Sequence, residues 1–187
     1  GQEPAEGNVG AGTGATVGKF HGPSGMMKAG LGIYAAQVGA VQCAAIVAVN
    51  ALGDIIDYDD KHLMAGLLTE DKSAMADTVK VMYDEIERNR ALWGGNTTIG
   101  CVITNAKLDK SQCNKLASIA HNGFAQAIRP VHSTADGDTI FLMASGEVEV
   151  GVDAVGALVT ECMGRAINRA ALTAEPAYGL KAARDFC

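Results

Sequence analysis

Four groups in this chain have types suited to chemistry: a hydroxyl where a strand begins, two carboxylates bracketing a glycine, an asparagine ending an apolar run and a lysine closing a glycine-rich stretch. The hydroxyl is that of Thr97 in Gly94-Gly95-Asn96-Thr97-Thr98-Ile99-Gly100, where a flexible polar segment gives way to apolar residues. A hydroxyl is a weak nucleophile without a base beside it. One available base is the residue's own α-amine, freed if the Asn96–Thr97 bond is cut. Thr97 therefore reads as a latent N-terminal nucleophile, and equally as a plain loop-to-strand junction, since Asn and Gly mark turns and Thr favours strands. Asp136 and Asp138 flank Gly137 just before another apolar run. Asp-Gly is ordinary turn chemistry. A bend at the glycine can nonetheless aim both carboxylates into one site, where they would hold a hydroxyl and an ammonium by charge-assisted hydrogen bonds.

The elements that must position these groups follow from apolar patterning. Residues 29–38 and 43–51 are apolar, joined through Gly39-Ala40, and predict paired strands of a buried sheet with Asn50 at the end of the second. An Asn there can turn its amide into a pocket, although forming a turn is its commoner use. Residues 70–90 carry Met75, Val79, Met82 and Ile86 at helical spacing, which predicts a surface helix with a narrow apolar stripe or a mobile linker delivering the chain to Trp93 and the Thr97 junction. Residues 98–104 and 139–144 read as strands. Asp109 with Gln112 is a capping-box signature, followed by Leu116, Ile119, Ala120, Phe124 and Ile128 on one helix face, with Pro130 as the stop. His121 lies beside that stripe and reads as a packed or surface histidine. A second long amphipathic helix spans 152–172, with Val155, Leu158, Val159, Cys162, Ala166 and Ala170 on its face, and the tail 173–187 is irregular or weakly helical.

The glycine-rich residues 7–19 invite comparison with a phosphate loop, but the spacing excludes it. Thr13 stands where the first Walker A glycine belongs, and Phe20 where Ser or Thr would bind magnesium. On this pattern alone Lys19 reads as a solvated surface charge rather than a group aimed into a pocket. With 187 residues, 48% hydrophobic and 19% charged, the chain is expected to form one globular domain. A net charge of −6 argues against nucleic-acid or anionic-membrane partners, and no apolar run reaches the roughly 18 residues a span requires. The start does not resemble a signal peptide. Five cysteines without a C-x-x-C pair and four histidines without ligand spacing predict a reduced, cytoplasmic protein with no metal and no cofactor.

Several motifs in order, Gly7-Asn-Val-Gly-Ala-Gly-Thr-Gly14, Val49-Asn-Ala-Leu-Gly-Asp54, Asn96-Thr-Thr-Ile-Gly100, Asn105-Ala-Lys-Leu108, Lys115-Leu-Ala-Ser118, Ala127-Ile-Arg-Pro-Val-His132 and Asp136-Gly-Asp-Thr-Ile-Phe141, resemble the self-processing L-aminopeptidase/D-esterase family. The Asn-Thr-Thr junction is most similar to its threonine-nucleophile branch, near nylon-oligomer hydrolase. The resemblance implies an α+β fold, a four-layer αββα sandwich, cut between Asn96 and Thr97. Residues 1–96 would be the remaining part of the large chain, with 70–96 as pre-cleavage linker, and 97–187 the small chain. It further implies Thr97 as nucleophile, Asn50 as oxyanion donor, Lys19 in the same pocket, Asp136 and Asp138 orienting nucleophile and amine, a small peptide or amide substrate, and a homo-oligomer (a tetramer of processed pairs). Relatives carry a region before the glycine-rich stretch that contributes a strand and an oxyanion tyrosine. Tyr34, Tyr58, Tyr83 and Tyr178 do not stand in its place, and exposed apolar surface is expected where such a region would pack. The alternative function is a catalytically silent homologue, a binding or structural module.

Overall fold

The computed structural model describes residues 4–88, 92 and 94–186; Arg90, Trp93 and Cys187 lie outside them. In chain order the elements are β1 (Thr16–Val17), β2 (Met27–Lys28), β3 (Leu31–Val38), β4 (Val41–Asn50), β5 (Asp54–Ile56), β6 (Leu63–Ala65), α1 (Thr78–Asp84), β7 (Thr97–Ala106), α2 (Lys110–Ala127), β8 (Ile128–Arg129), β9 (Thr139–Val148) and α3 (Val152–Leu172). The main sheet has the order β3-β4-β7-β9, antiparallel except for the parallel pair β7 and β9. A parallel pair needs a crossover, and α2 supplies it. Short sheets β1-β2 and β6-β5-β8 flank the main one.

Alternation along the strands divides this sheet into two faces. On one, Val47 and Val49 of β4 and Val102 of β7 meet α2 and α3, with Leu116, Phe124, Met163 and Ile167 fully buried between the layers. On the other, Ile99, Ile103, Phe141 and Met143 are exposed. These exposed apolar side chains lie together on one face of the sheet. The described residues supply one helical layer and one sheet layer packed together.

Helix α2 starts as the sequence dictates, Asp109 accepting from the Gln112 N–H and Gln112 accepting from the Asp109 N–H. It stops earlier than its apolar stripe predicts. Ile128 is extended and pairs with Ile55, because Pro130 disfavours helical backbone at Arg129. The stripe over 70–90 is also interrupted. Met75 bridges Leu68 in extended form, and α1 begins only at Thr78, where Asp77 caps the Val79 and Lys80 N–H groups. Ile86 lies beyond this short helix, exposed.

Two charges missed by the sequence reading are buried. Asp54 accepts from Leu67 N–H at 2.8 Å, from Thr78 N–H at 2.6 Å and from Thr78 Oγ at 2.6 Å. Burial pushes its pKa up to about 6 even so. Lys28 donates to the carbonyls of Gly12, Ala15 and Ala29, and burial lowers its pKa. Among the described residues no helix is long and apolar enough to cross a membrane.

Candidate active site

Strand register builds the centre of the site. Asn50, the last residue of β4, is paired directly with Thr97, the first of β7, and both side chains lie on the open face. Opposed residues on one face of an antiparallel pair have Cβ atoms roughly 4.5–5.5 Å apart, so two sequence-distant groups meet without help from a loop. A parallel bridge from Asn96 to Asp136 then brings the Asp136-Gly137-Asp138 turn alongside.

Lys19 is 3% exposed, contrary to the surface reading from its glycine-rich context. The reason lies in the residue before it. Gly18 has φ of +69°, and a Cβ there would stand 2.0 Å from the Leu67 nitrogen, so only glycine lets the loop press against its neighbour and turn Lys19 inward. The ammonium donates to Asn50 Oδ1 at 2.8 Å and to the Asn50 carbonyl at 3.0 Å. Burial lowers its pKa to about 8, with the Asp136 carboxylate pulling the other way. Thr16 adds donors to Asn50 Oδ1 from its N–H at 3.2 Å and its hydroxyl at 3.3 Å. Since Oδ1 is taken, Nδ2 must face the other way. It donates to the Gly95 carbonyl at 3.1 Å.

Thr97 Oγ donates to the carbonyl oxygen of Asn96 at 2.5 Å, so the hydroxyl sits against the carbonyl of the peptide bond it would have to attack. The same carbonyl accepts the Gly137 N–H at 2.8 Å. Neither carboxylate of the Asp-Gly-Asp turn takes a hydrogen bond from Thr97 Oγ among the described residues. Asp136 accepts from Leu52 N–H at 3.2 Å, Ser133 N–H at 3.1 Å and Ser133 Oγ at 2.5 Å. Asp138 accepts the Thr98 N–H at 2.8 Å and is paired with His132 Nδ1 at 2.8 Å. His132 stacks on Phe124 and meets His121 edge-on, which makes His121 a packed histidine as expected. A shallow cavity of about 260 Å³ opens beside Thr97, lined by Ala11, Gly14, Ala15, Ala48, Asn50 and Ile99.

Lys19, Asn50, Asn96, Thr97 and Asp136 therefore come together at the Thr97 end of the main sheet, with Asp138 next to them but turned toward His132. Thr16, Ser133, His132 and the Gly137 amide join them unannounced. A signal for Ser133 and His132 was present in their position just before the Asp-Gly-Asp turn. The Gly137 role falls to a backbone group, which leaves no mark on residue type.

This fold is similar to that of Burkholderia sp. beta-aminopeptidase, with a TM-score of 0.60 at 20% identity over 91% of this chain and 47% of that one. It is equally similar to the L-aminopeptidase D-Ala-esterase/amidase of Ochrobactrum anthropi, a variant of the Ntn hydrolase fold, with a TM-score of 0.61 at 17% identity over 92% and 46%. The chain thus shares the fold of about half of each of those structures. It belongs to peptidase family S58, whose model matches residues 1–184. An uncharacterised aminopeptidase of Mycobacterium tuberculosis is 32% identical over all of this chain and 58% of its own length. A 6-aminohexanoate-oligomer endohydrolase of Paenarthrobacter ureafaciens is 26% identical over 88% of this chain and 50% of its own length. The chain spans about half the length of these relatives.

Proposed function

We propose that this protein is an N-terminal-nucleophile amidohydrolase that cuts itself between Asn96 and Thr97, then uses the freed Thr97 to hydrolyse small peptides or related amides bearing a free amino end. The observation that carries this reading is the Thr97 hydroxyl lying on the Asn96 carbonyl, opposite Asn50, with a buried lysine behind it. Residues 97–187 would then form the small chain.

In the processed protein the Thr97 α-amine, with an unperturbed pKa of about 7.7–8.0, is basic enough at neutral pH to take the proton from Oγ. The Asp136 and Asp138 carboxylates, held by Ser133 and by the Thr98 N–H beside the junction, favour the ammonium once it forms. Oγ then attacks a substrate carbonyl. Asn50 Nδ2 donates to the resulting oxyanion, its orientation fixed by the Lys19 ammonium on Oδ1, which also polarises the amide and strengthens the donor. The ammonium returns its proton to the leaving amine, and water releases the acyl group by the same steps. The small, apolar lining of the cavity beside Thr97 suits a short acyl group. The names of the aminopeptidase and oligomer-hydrolase relatives point to the same bond type.

Turnover of a panel of amino-acid anilides and short 6-aminohexanoate amides tests this assignment. Release of amine by the unaltered protein and none by Thr97→Ala is expected. Equal rates in both would remove Thr97 from the chemistry.

A further inference from the structure

Cutting and hydrolysis would both use Thr97, yet the uncut junction engages two donors separately. Asn50 Nδ2 donates to the Gly95 carbonyl, one peptide before the bond in question. The Asn96 carbonyl instead accepts the Gly137 N–H at 2.8 Å. We propose that the Gly137 backbone amide is the oxyanion donor for self-cleavage, while Asn50 is the donor for hydrolysis and is masked by Gly95 until the chain is cut. The inference rests on the proposed self-cleavage between Asn96 and Thr97.

Two features support it. The first is spatial. Gly137 does not have a left-handed φ, but a Cβ placed on it would stand 2.9 Å from Thr97 Oγ and 3.8 Å from the Asn96 carbonyl oxygen. Any side chain at 137 would occupy the space the nucleophile needs, so glycine is demanded by the reaction path and not by the turn. The second is rigidity. The flanking carboxylates are tied down by the Leu52, Ser133 and Thr98 donors and by His132, and the Asn96–Asp136 bridge fixes the register. A donor held in place before charge develops is what oxyanion stabilisation requires.

The step balances without any added reactant. Thr97 Oγ forms a bond to the Asn96 carbonyl carbon, and the carbonyl π pair moves to oxygen, where Gly137 N–H receives it. As the carbonyl re-forms, the C–N bond breaks and the proton that began on Oγ ends on the Thr97 nitrogen. The product is an ester of Asn96 on Thr97 Oγ with a free α-amine. Water then hydrolyses the ester to the Asn96 carboxylate and the Thr97 hydroxyl. Departure of the Gly95-Asn96 end uncovers Asn50 Nδ2 for a substrate carbonyl.

The test compares two altered proteins with the unaltered one, following the cut by intact mass and amide turnover per cut molecule, with circular dichroism confirming the fold. In one, semisynthesis replaces the Asp136–Gly137 amide by an ester, which deletes only the N–H. The other is Asn50→Ala. The ester is expected to slow the cut by about 10²–10³-fold and turnover by less than about tenfold, and Asn50→Ala is expected to show the reverse pattern. If the protein cuts itself but both changes slow the cut alike, or only Asn50→Ala does, separate donors are ruled out while the self-cleaving reading stands. An unaltered protein that never cuts defeats that reading and this inference with it.

Discussion

The two faces of the main sheet are built from the same strands and have opposite fates. Val47, Val49 and Val102 point into a closed layer against α2 and α3, where side chains are packed away from solvent. One residue over on each strand, Ala48, Asn50, Thr97 and Ile99 point to the open face, and the chemistry-bearing pair sits at its end. Pleating gives each strand this division of labour, so a slip of one residue in register would exchange core and site together. The closed face determines where Thr97 stands; the open face determines what can reach it.

The sharpest way to separate the faces is to damage each in turn. Thr97→Ala should abolish amide turnover, a loss of at least about 10⁴-fold, with unfolding free energy changed by less than about 1 kcal/mol, because a half-buried hydroxyl is removed without opening a cavity. Turnover assays and urea unfolding on the same preparations check it. Phe124→Ala should do the opposite, costing about 3–5 kcal/mol of stability through a cavity under the sheet, read from the urea midpoint.

Lys19 joins the two regions, since it is buried like the core but bonded to the site. Its lowered pKa means that the unfolded chain binds more protons than the folded one between about pH 8 and the ordinary lysine value of 10.5. Its contribution to stability therefore rises with pH across that window and is at its least favourable below pH 8. Lys19→Met should flatten that part of the stability-versus-pH curve. The same change should lower turnover by roughly 10–100-fold, because it removes the shortest and only charged donor on Asn50 Oδ1 among the described residues and leaves the two longer Thr16 bonds to hold the amide, an effect of about 1.4–2.7 kcal/mol on the barrier. At the small end stands Phe141→Ser on the open face. Since Phe141 is 60% exposed, stability should move by no more than about 0.5 kcal/mol in this chain.

Much of this comparison could be read from the sequence. The strand patterning placed Asn50 and Thr97 at strand ends, the Asp109 and Gln112 pair gave the start of α2, and the motif order brought Lys19, Asp136 and Asp138 to the same site. What escaped was burial of charge. Lys28 and Asp54 are satisfied by backbone groups from Gly12, Ala15, Leu67 and Thr78, partners that become visible only when the chain has folded. Lys19 was misjudged for the same reason. Ile128 kept its apolar character but changed element, as the proline two residues on outweighed helical periodicity. The role of Gly137 was out of reach because its amide is common to every residue type except proline.

The most direct measurement of the central claim, that Thr97 is a latent nucleophile, is intact-mass analysis of the purified protein over time beside Thr97→Ala. The account predicts that the unaltered 19.2 kDa chain separates into one fragment ending at Asn96 and another beginning at Thr97, while the variant stays whole. A single uncut mass for both proteins after prolonged incubation would contradict it and leave the chain as a silent member of its family.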